Sequence, residues 1–155
     1  EGANSFALAE AMATLSESAC VRAYAEQLGR LSFDPVRGFL VGSIDLVFRS
    51  NGRFYVVDYK SNHLGRTRDS YAEHALNHAM TSHHYILQYH LYTVALHRYL
   101  SWRIPDYDYD RDMGGVFYLF LRGMHPITGP SRGVYSDRPS AALISALDQL
   151  LRGDS

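Results

Sequence analysis

Leu8, Met12, Leu15, Ala19, Val21 and Leu28 recur at roughly helical spacing and Gly29 closes the run, so the apolar pattern predicts a helix from Leu8 to Leu28. From Arg37 to Phe48, and again from Arg53 to Lys60, the pattern turns short and β-branched, which predicts two strands. Between them lies Ser50-Asn51-Gly52-Arg53, and an Asn-Gly pair flanked by strand-like runs is a strong hairpin signal. Ser70 to Leu100 reads as helix with a break near Thr81 and Ser82, its stripe carried by Leu87, Leu91 and Val94. Pro105 and the run Asp106 to Asp110 predict a loop, and Gly115 to Leu121 is an apolar run short enough for a buried strand. Gly129, Pro130 and Gly133 predict a further loop, and a last helix is expected over Pro139 to Leu151. The order helix, hairpin, helix, strand, helix implies an α/β fold, a mixed central sheet flanked by helices.

The hairpin makes a sharper statement. If Asn51 and Gly52 form the loop, Ser50 faces Arg53, Asp45 faces Asp58 and Ser43 faces Lys60. Cross-strand partners and residues two apart share a face, so Asp45, Asp58 and Lys60 converge. The opposite face carries Ile44, Leu46, Phe48, Tyr55, Val57 and Tyr59, and the charged face continues with Val47 and Val56, so both faces are expected to be covered. Opposed carboxylates repel, and burial adds a desolvation cost. Either a divalent cation bridges them or one takes up a proton. Oxygen-only ligation suits Mg²⁺ or Mn²⁺, and with such an ion Lys60 would hold the attacking water and stabilise charge on a phosphate. A buried ion network, in which Lys60 merely neutralises one aspartate, fits the same spacing.

Composition narrows the setting. At 155 residues the chain suits one domain, 1–155. It starts at Glu1 rather than Met, which predicts a piece of a longer polypeptide. No apolar run approaches the roughly 20 residues of a membrane span, and a single cysteine, Cys20, allows no intrachain disulfide, so a soluble cytoplasmic setting without membrane contact is expected. Cys20 itself reads as a small core residue. A formal net charge of -1 argues against gripping nucleic acid with the whole surface. The basic residues are fourteen arginines and Lys60 alone, so where this chain uses lysine it needs something arginine does not supply.

The spacing of Asp45 with Asp58-Tyr59-Lys60 resembles the PD-(D/E)xK nuclease motif, with Ile44 in place of its proline. Gln88 and Tyr92 match the Q-x-x-x-Y element of RecB-type nucleases. The segments Phe33 to Gly38, Gly42 to Phe48, Val57 to Asn62, Leu87 to Leu100 and Gly114 to Gly123 resemble the C-terminal nuclease domain of exonuclease V beta subunits. The resemblance implies a restriction-endonuclease-like core at the end of a longer helicase-nuclease chain, cutting DNA with Mg²⁺ in double-strand break repair and recombination. It implies that Asp45, Asp58 and the Tyr59 carbonyl ligate the metal, that Lys60 is catalytic, and that Gln88 and Tyr92 border the DNA path. The implied partners are DNA, especially single-stranded, the gamma and alpha subunits of the exonuclease V complex, and a recombinase. The family also draws a histidine ligand from an earlier helix, and no histidine precedes Asp45.

Other signals are weaker. His74 and His78 have a zinc-compatible spacing but no third ligand, so they read, like His83, His84, His90 and His97, as solvated or capping residues. Tyr85, Tyr89, Tyr92 and Tyr99 recur at helical spacing, suited to core packing for most and to stacking on bases for some. Arg66 and Arg68 follow the second strand in a Gly-containing loop and could hold phosphates or simply be solvated. No phosphate-binding loop for ATP is present, so ATP use belongs to the helicase part. One other reading stays open, a catalytically silent nuclease-like module that docks partner subunits or guides DNA; a free-standing endonuclease fits poorly with the start at Glu1 and the beta-subunit-like segments. Metal binding separates the silent module from a working nuclease.

Overall fold

The computed structural model describes residues 4–31 and 42–153. The segment Phe33 to Gly38 and the start of the expected strand Arg37 to Phe48 lie outside the described residues. The predicted first helix is two: α1, Ser5–Leu15, and α2, Ala19–Leu28. Two serines break it. Ser16 Oγ accepts from the Ser18 amide, and Ser18 Oγ caps α2 by accepting from Val21 N at 3.4 Å. The apolar stripe runs through the break, which is why spacing alone hides it.

The hairpin follows the sequence expectation. β1, Leu46–Ser50, and β2, Arg53–Lys60, pair antiparallel with Ser50 opposite Arg53 and Leu46 opposite Val57. Asn51 and Gly52 have φ of 49° and 82°, the double left-handed turn that matches strand twist. β1 starts later than predicted, and residues 42–45 are not strand.

After β2, α3, Glu73–Ser82, and α4, Tyr85–Arg103, follow, broken at His84, whose φ is 56°. The break falls close to the expected Thr81 and Ser82. The tyrosine-aspartate loop contains a short helix, α5, Tyr109–Asp112. β3, Met113–Phe120, then lies parallel to β2, as a helical crossover permits. β4, Val134–Asp137, pairs antiparallel with β3 and was not expected. It is four residues long and flanked by Gly133 and Pro139, so its alternation is too short to separate from the loop. The last helix, α6, is Ala141–Arg152. Ser140 caps it, accepting from Leu143 N at 3.2 Å, and Pro139 stands before the cap rather than in the first turn.

The sheet order is β1-β2-β3-β4, with helices packed on the face carrying Val56, Val116, Tyr118 and Tyr135. Met12, Val21, Tyr24, Leu28, Met80, Ile86, Tyr89, Leu143 and Ile144 fill that core. The other face carries Phe48, Tyr55 and Phe117, stacked with centroids 4.9 to 6.4 Å apart, half-buried and outside the main core. The expectation that both faces are covered is corrected: Leu46 and Tyr59 are 40% and 46% exposed on this face, and Val47 is 39% exposed on the first. No helix among the described residues is long and apolar enough to cross a membrane.

Candidate active site

β2 ends on the packed side of the sheet with Asp58 and Lys60, and parallel pairing sets Asp58 beside Tyr118 and Lys60 beside Phe120. α4 lies over this corner. Its Gln88 Oε1 accepts from Lys60 Nζ at 3.1 Å and from Tyr118 OH at 2.9 Å, while Gln88 Nε2 donates to Tyr92 OH at 3.0 Å. The ammonium of Lys60 also sits 3.8 Å from the ring centre of Tyr85 and 5.0 Å from that of Tyr118. An aromatic box with one amide oxygen holds a compact charge better than it would a planar guanidinium. Tyr85 OH donates to Asn62 Oδ1 at 3.2 Å, tying the box to the chain just after β2.

Asp58 is 4% exposed. Its Oδ1 is ion-paired to Lys60 Nζ at 2.6 Å and is sealed from solvent. Burial pushes the Asp58 carboxyl above its ordinary range, Lys60 pulls it back, and the charge of Asp45 adds to the rise. Burial likewise raises the Tyr92 hydroxyl, with Asp58 contributing, so that hydroxyl keeps its proton.

Asp45 behaves differently from the expectation of two opposed buried carboxylates. The ladder ends at Leu46 opposite Val57, and Asp45, one residue earlier, is exposed. Its Oδ2 accepts from Tyr59 N at 2.9 Å, which fastens the first carboxylate to the strand that carries the second. The desolvation cost therefore falls on Asp58 alone. Gly42 brings the chain before β1 against Tyr92, whose Cε1 would stand 3.1 Å from an added Cβ.

Asp45, Asp58, Lys60, Gln88 and Tyr92 thus come together, with Tyr59 between the aspartates in the network. Arg66 and Arg68 make none of these bonds; they are exposed and line a separate cavity. Tyr118 and Asn62 are the contributors that sequence reasoning missed. Tyr118 sits inside an apolar run, and only strand pairing reveals it as the neighbour of Asp58. His74 and His78 are exposed as expected, whereas His90 is fully buried, with Nδ1 2.7 Å from Ile86 O, contrary to the solvated reading. Tyr89 is core and Tyr99 is exposed, which leaves Tyr85 and Tyr92 as the tyrosines of that series at the site. Cys20 packs half-buried against the core. A cavity of about 830 Å³ near Cys20, His74 and Tyr135 contains none of the clustered residues.

A divalent cation fits the donor set. Two carboxylates and a carbonyl near the strand end are hard oxygen donors, and the buried Asp58 carboxylate, whose burial cost is only partly offset by Lys60, would gain from a cation. Among the described residues no group of three His, Cys, Asp or Glu side chains is placed to hold a metal.

The chain has known relatives. The model of the PD-(D/E)XK nuclease superfamily matches residues 5–153, and the chain belongs to that superfamily. Within it, the chain is similar to part of the RecBCD enzyme subunit RecB. Identity is 54% over 123 residues with that of Escherichia coli (strain K12), 79% of this chain and 10% of the relative. It is 57% over 118 residues with that of Haemophilus influenzae, 76% and 10%, and 49% over 136 residues with that of Mycobacterium tuberculosis, 83% and 12%. The chain spans about a tenth of the length of the curated relatives it matches.

Proposed function

We propose that this chain is the DNA-cleaving part of a RecBCD-type helicase-nuclease, hydrolysing phosphodiester bonds with Mg²⁺, or Mn²⁺ in its place. The observation that carries the reading is the buried Asp58 carboxylate, ion-paired with Lys60 at 2.6 Å and set beside Asp45, whose side chain holds the Tyr59 amide. Asp45, Asp58 and the Tyr59 carbonyl would hold the ion. When bound, it supplies a lowered pKa for water and an offset for phosphate charge. Lys60, steadied by Gln88 and the rings of Tyr85 and Tyr118, orients the attacking water and the phosphate. Gln88 and Tyr92 wall the approach of the strand. The substrate is DNA, chiefly single-stranded, delivered by an ATP-driven helicase elsewhere in the parent protein, together with gamma and alpha subunits and a recombinase. The setting is cytoplasmic repair and recombination of double-strand breaks.

In the full-length parent, Asp58→Asn should lower Mg²⁺-dependent degradation of single-stranded DNA by at least about a hundredfold while unwinding continues. Calorimetric titration of Mg²⁺ and Mn²⁺ should show the variant's affinity reduced as well. Degradation near the wild-type rate would sink the assignment. Normal metal binding by the wild type without any cleavage would favour the silent docking module.

A further inference from the structure

β2 and β3 run parallel and end together at Lys60 and Phe120, and the two segments leaving them form the walls of a cavity of about 390 Å³. Its lining includes His63, Arg66, Arg68, Arg122 and His125 and no acidic residue. Arg66 and Arg68 form no ion pair among the described residues, while nearby Asp69, outside the lining, is engaged by Arg132 at 3.0 Å. His125 Nδ1 accepts from Ile127 N at 3.2 Å, so in the neutral ring Nε2 carries the proton and is a donor. Among the described residues none of these five side chains forms an ion pair, which leaves their charge and donors free for an anion.

The walls are held in shape from within. Arg122 Nε donates to Ser61 O at 2.8 Å, stitching the two segments together one residue past Lys60. Tyr71, 3% exposed, accepts from Leu64 N at 3.2 Å and donates to Asn62 O at 3.4 Å through its hydroxyl. The ring of Tyr71 lies so close to Gly123 that an added Cβ would stand 2.3 Å from it, so the second wall can approach only because that residue is glycine. The cavity is therefore a built feature, and it opens directly beyond the strand that carries Asp58 and Lys60.

We infer that this cavity is a second phosphate subsite, holding the phosphodiester backbone of the DNA strand beyond the bond being cut. The inference rests on the nuclease reading above. Phosphate contacts fix the register of a strand without reading its sequence, so the subsite would set how far the chain must be threaded before the scissile phosphate meets Asp58 and Lys60. It also places local positive charge on a molecule whose formal net charge is -1.

The test is binding of a labelled mixed-sequence single strand, and of a dinucleotide, to the full chain in Ca²⁺ over a range of salt, by fluorescence anisotropy. Arg66→Ala/Arg68→Ala should weaken binding of the long strand about tenfold and make the log-log salt dependence shallower by about 0.7 for each phosphate no longer neutralised. Dinucleotide binding should not change. Arg66→Lys/Arg68→Lys should restore most of the slope, and the charge-matched control Arg30→Ala/Arg103→Ala should leave it in place. An unchanged slope in the double alanine variant, with wild type still binding and cutting, would overturn the subsite and leave the nuclease reading intact. Wild type that neither binds nor cuts would overturn both.

Discussion

The two faces of the sheet carry similar numbers of aromatic rings and use them differently. On the packed face Tyr118, Tyr89 and Tyr135 are buried, and each hydroxyl has a hydrogen-bond partner: Tyr118 donates to Gln88, and Tyr89, in contact with Tyr135, donates to Asp137 at 2.6 Å. On the other face Phe48, Tyr55 and Phe117 stack on one another and stay half-exposed. The difference teaches where polar chemistry can be built. A face sealed by helices makes each polar group costly unless paired, so the carboxylate of Asp58, buried against the ammonium of Lys60, stands out; on an open face water would solvate it and nothing could be read from it.

Matched truncations give the largest expected separation between the faces. Tyr118→Ala should cost about 3–5 kcal/mol of unfolding free energy, as for a fully buried ring, whereas Phe117→Ala should cost about 1–2 kcal/mol. Urea denaturation of both variants measures this, and equal losses would erase the distinction.

Acid should act on the packed side. Burial pushes the ring of His90 down from 6.5 to about 4, against the opposing effects of the Ile86 carbonyl and Asp137. The unfolded chain then binds a proton that the fold refuses, so on the order of 3 kcal/mol should be lost as pH falls from about 6.5 to 4, with no loss above that window. Asp58 acts in the opposite sense. Its carboxyl is raised above the unfolded value, so protonation on acidification relieves a cost carried at neutral pH. His90→Gln should flatten the fall in a series of urea midpoints from about pH 7 to 4; a variant as acid-sensitive as wild type would remove His90 from the explanation.

The smallest effect belongs to the exposed turn. An added Cβ at Gly52 meets nothing within 4 Å, so Gly52→Ala should cost only the strain of φ +82°, about 1 kcal/mol. Thermal unfolding measures it, and a loss as large as that of Tyr118→Ala would mean that the turn governs the register of the whole hairpin.

Legibility followed the same physics. The register and the length of β2 were readable because Asn51 and Gly52 admit one kind of turn, and side chains alternate strictly from there. The family resemblance brought Gln88 and Tyr92 to the site before any geometry did. What could not be read depended on competition or on distant partners. Ser16 and Ser18 override a continuous helical stripe, β4 is too short to show a period, and Asp45 lies one residue outside the β1–β2 ladder, exposed, with its side chain on the Tyr59 amide. Tyr118 gains its place from a parallel pairing across a helical crossover, and Arg122 reaches the cavity wall only through the same ladder.

The sheet's borders have a consequence for assembly. Its outermost strands, β1 and β4, are five and four residues long, and β1 is preceded by Asp45, whose side chain already occupies a neighbouring amide. Margins so brief offer an incoming strand few backbone groups to zip onto. Among the described residues, a sheet with such margins leaves little of its hydrogen-bonding ladder open to another polypeptide.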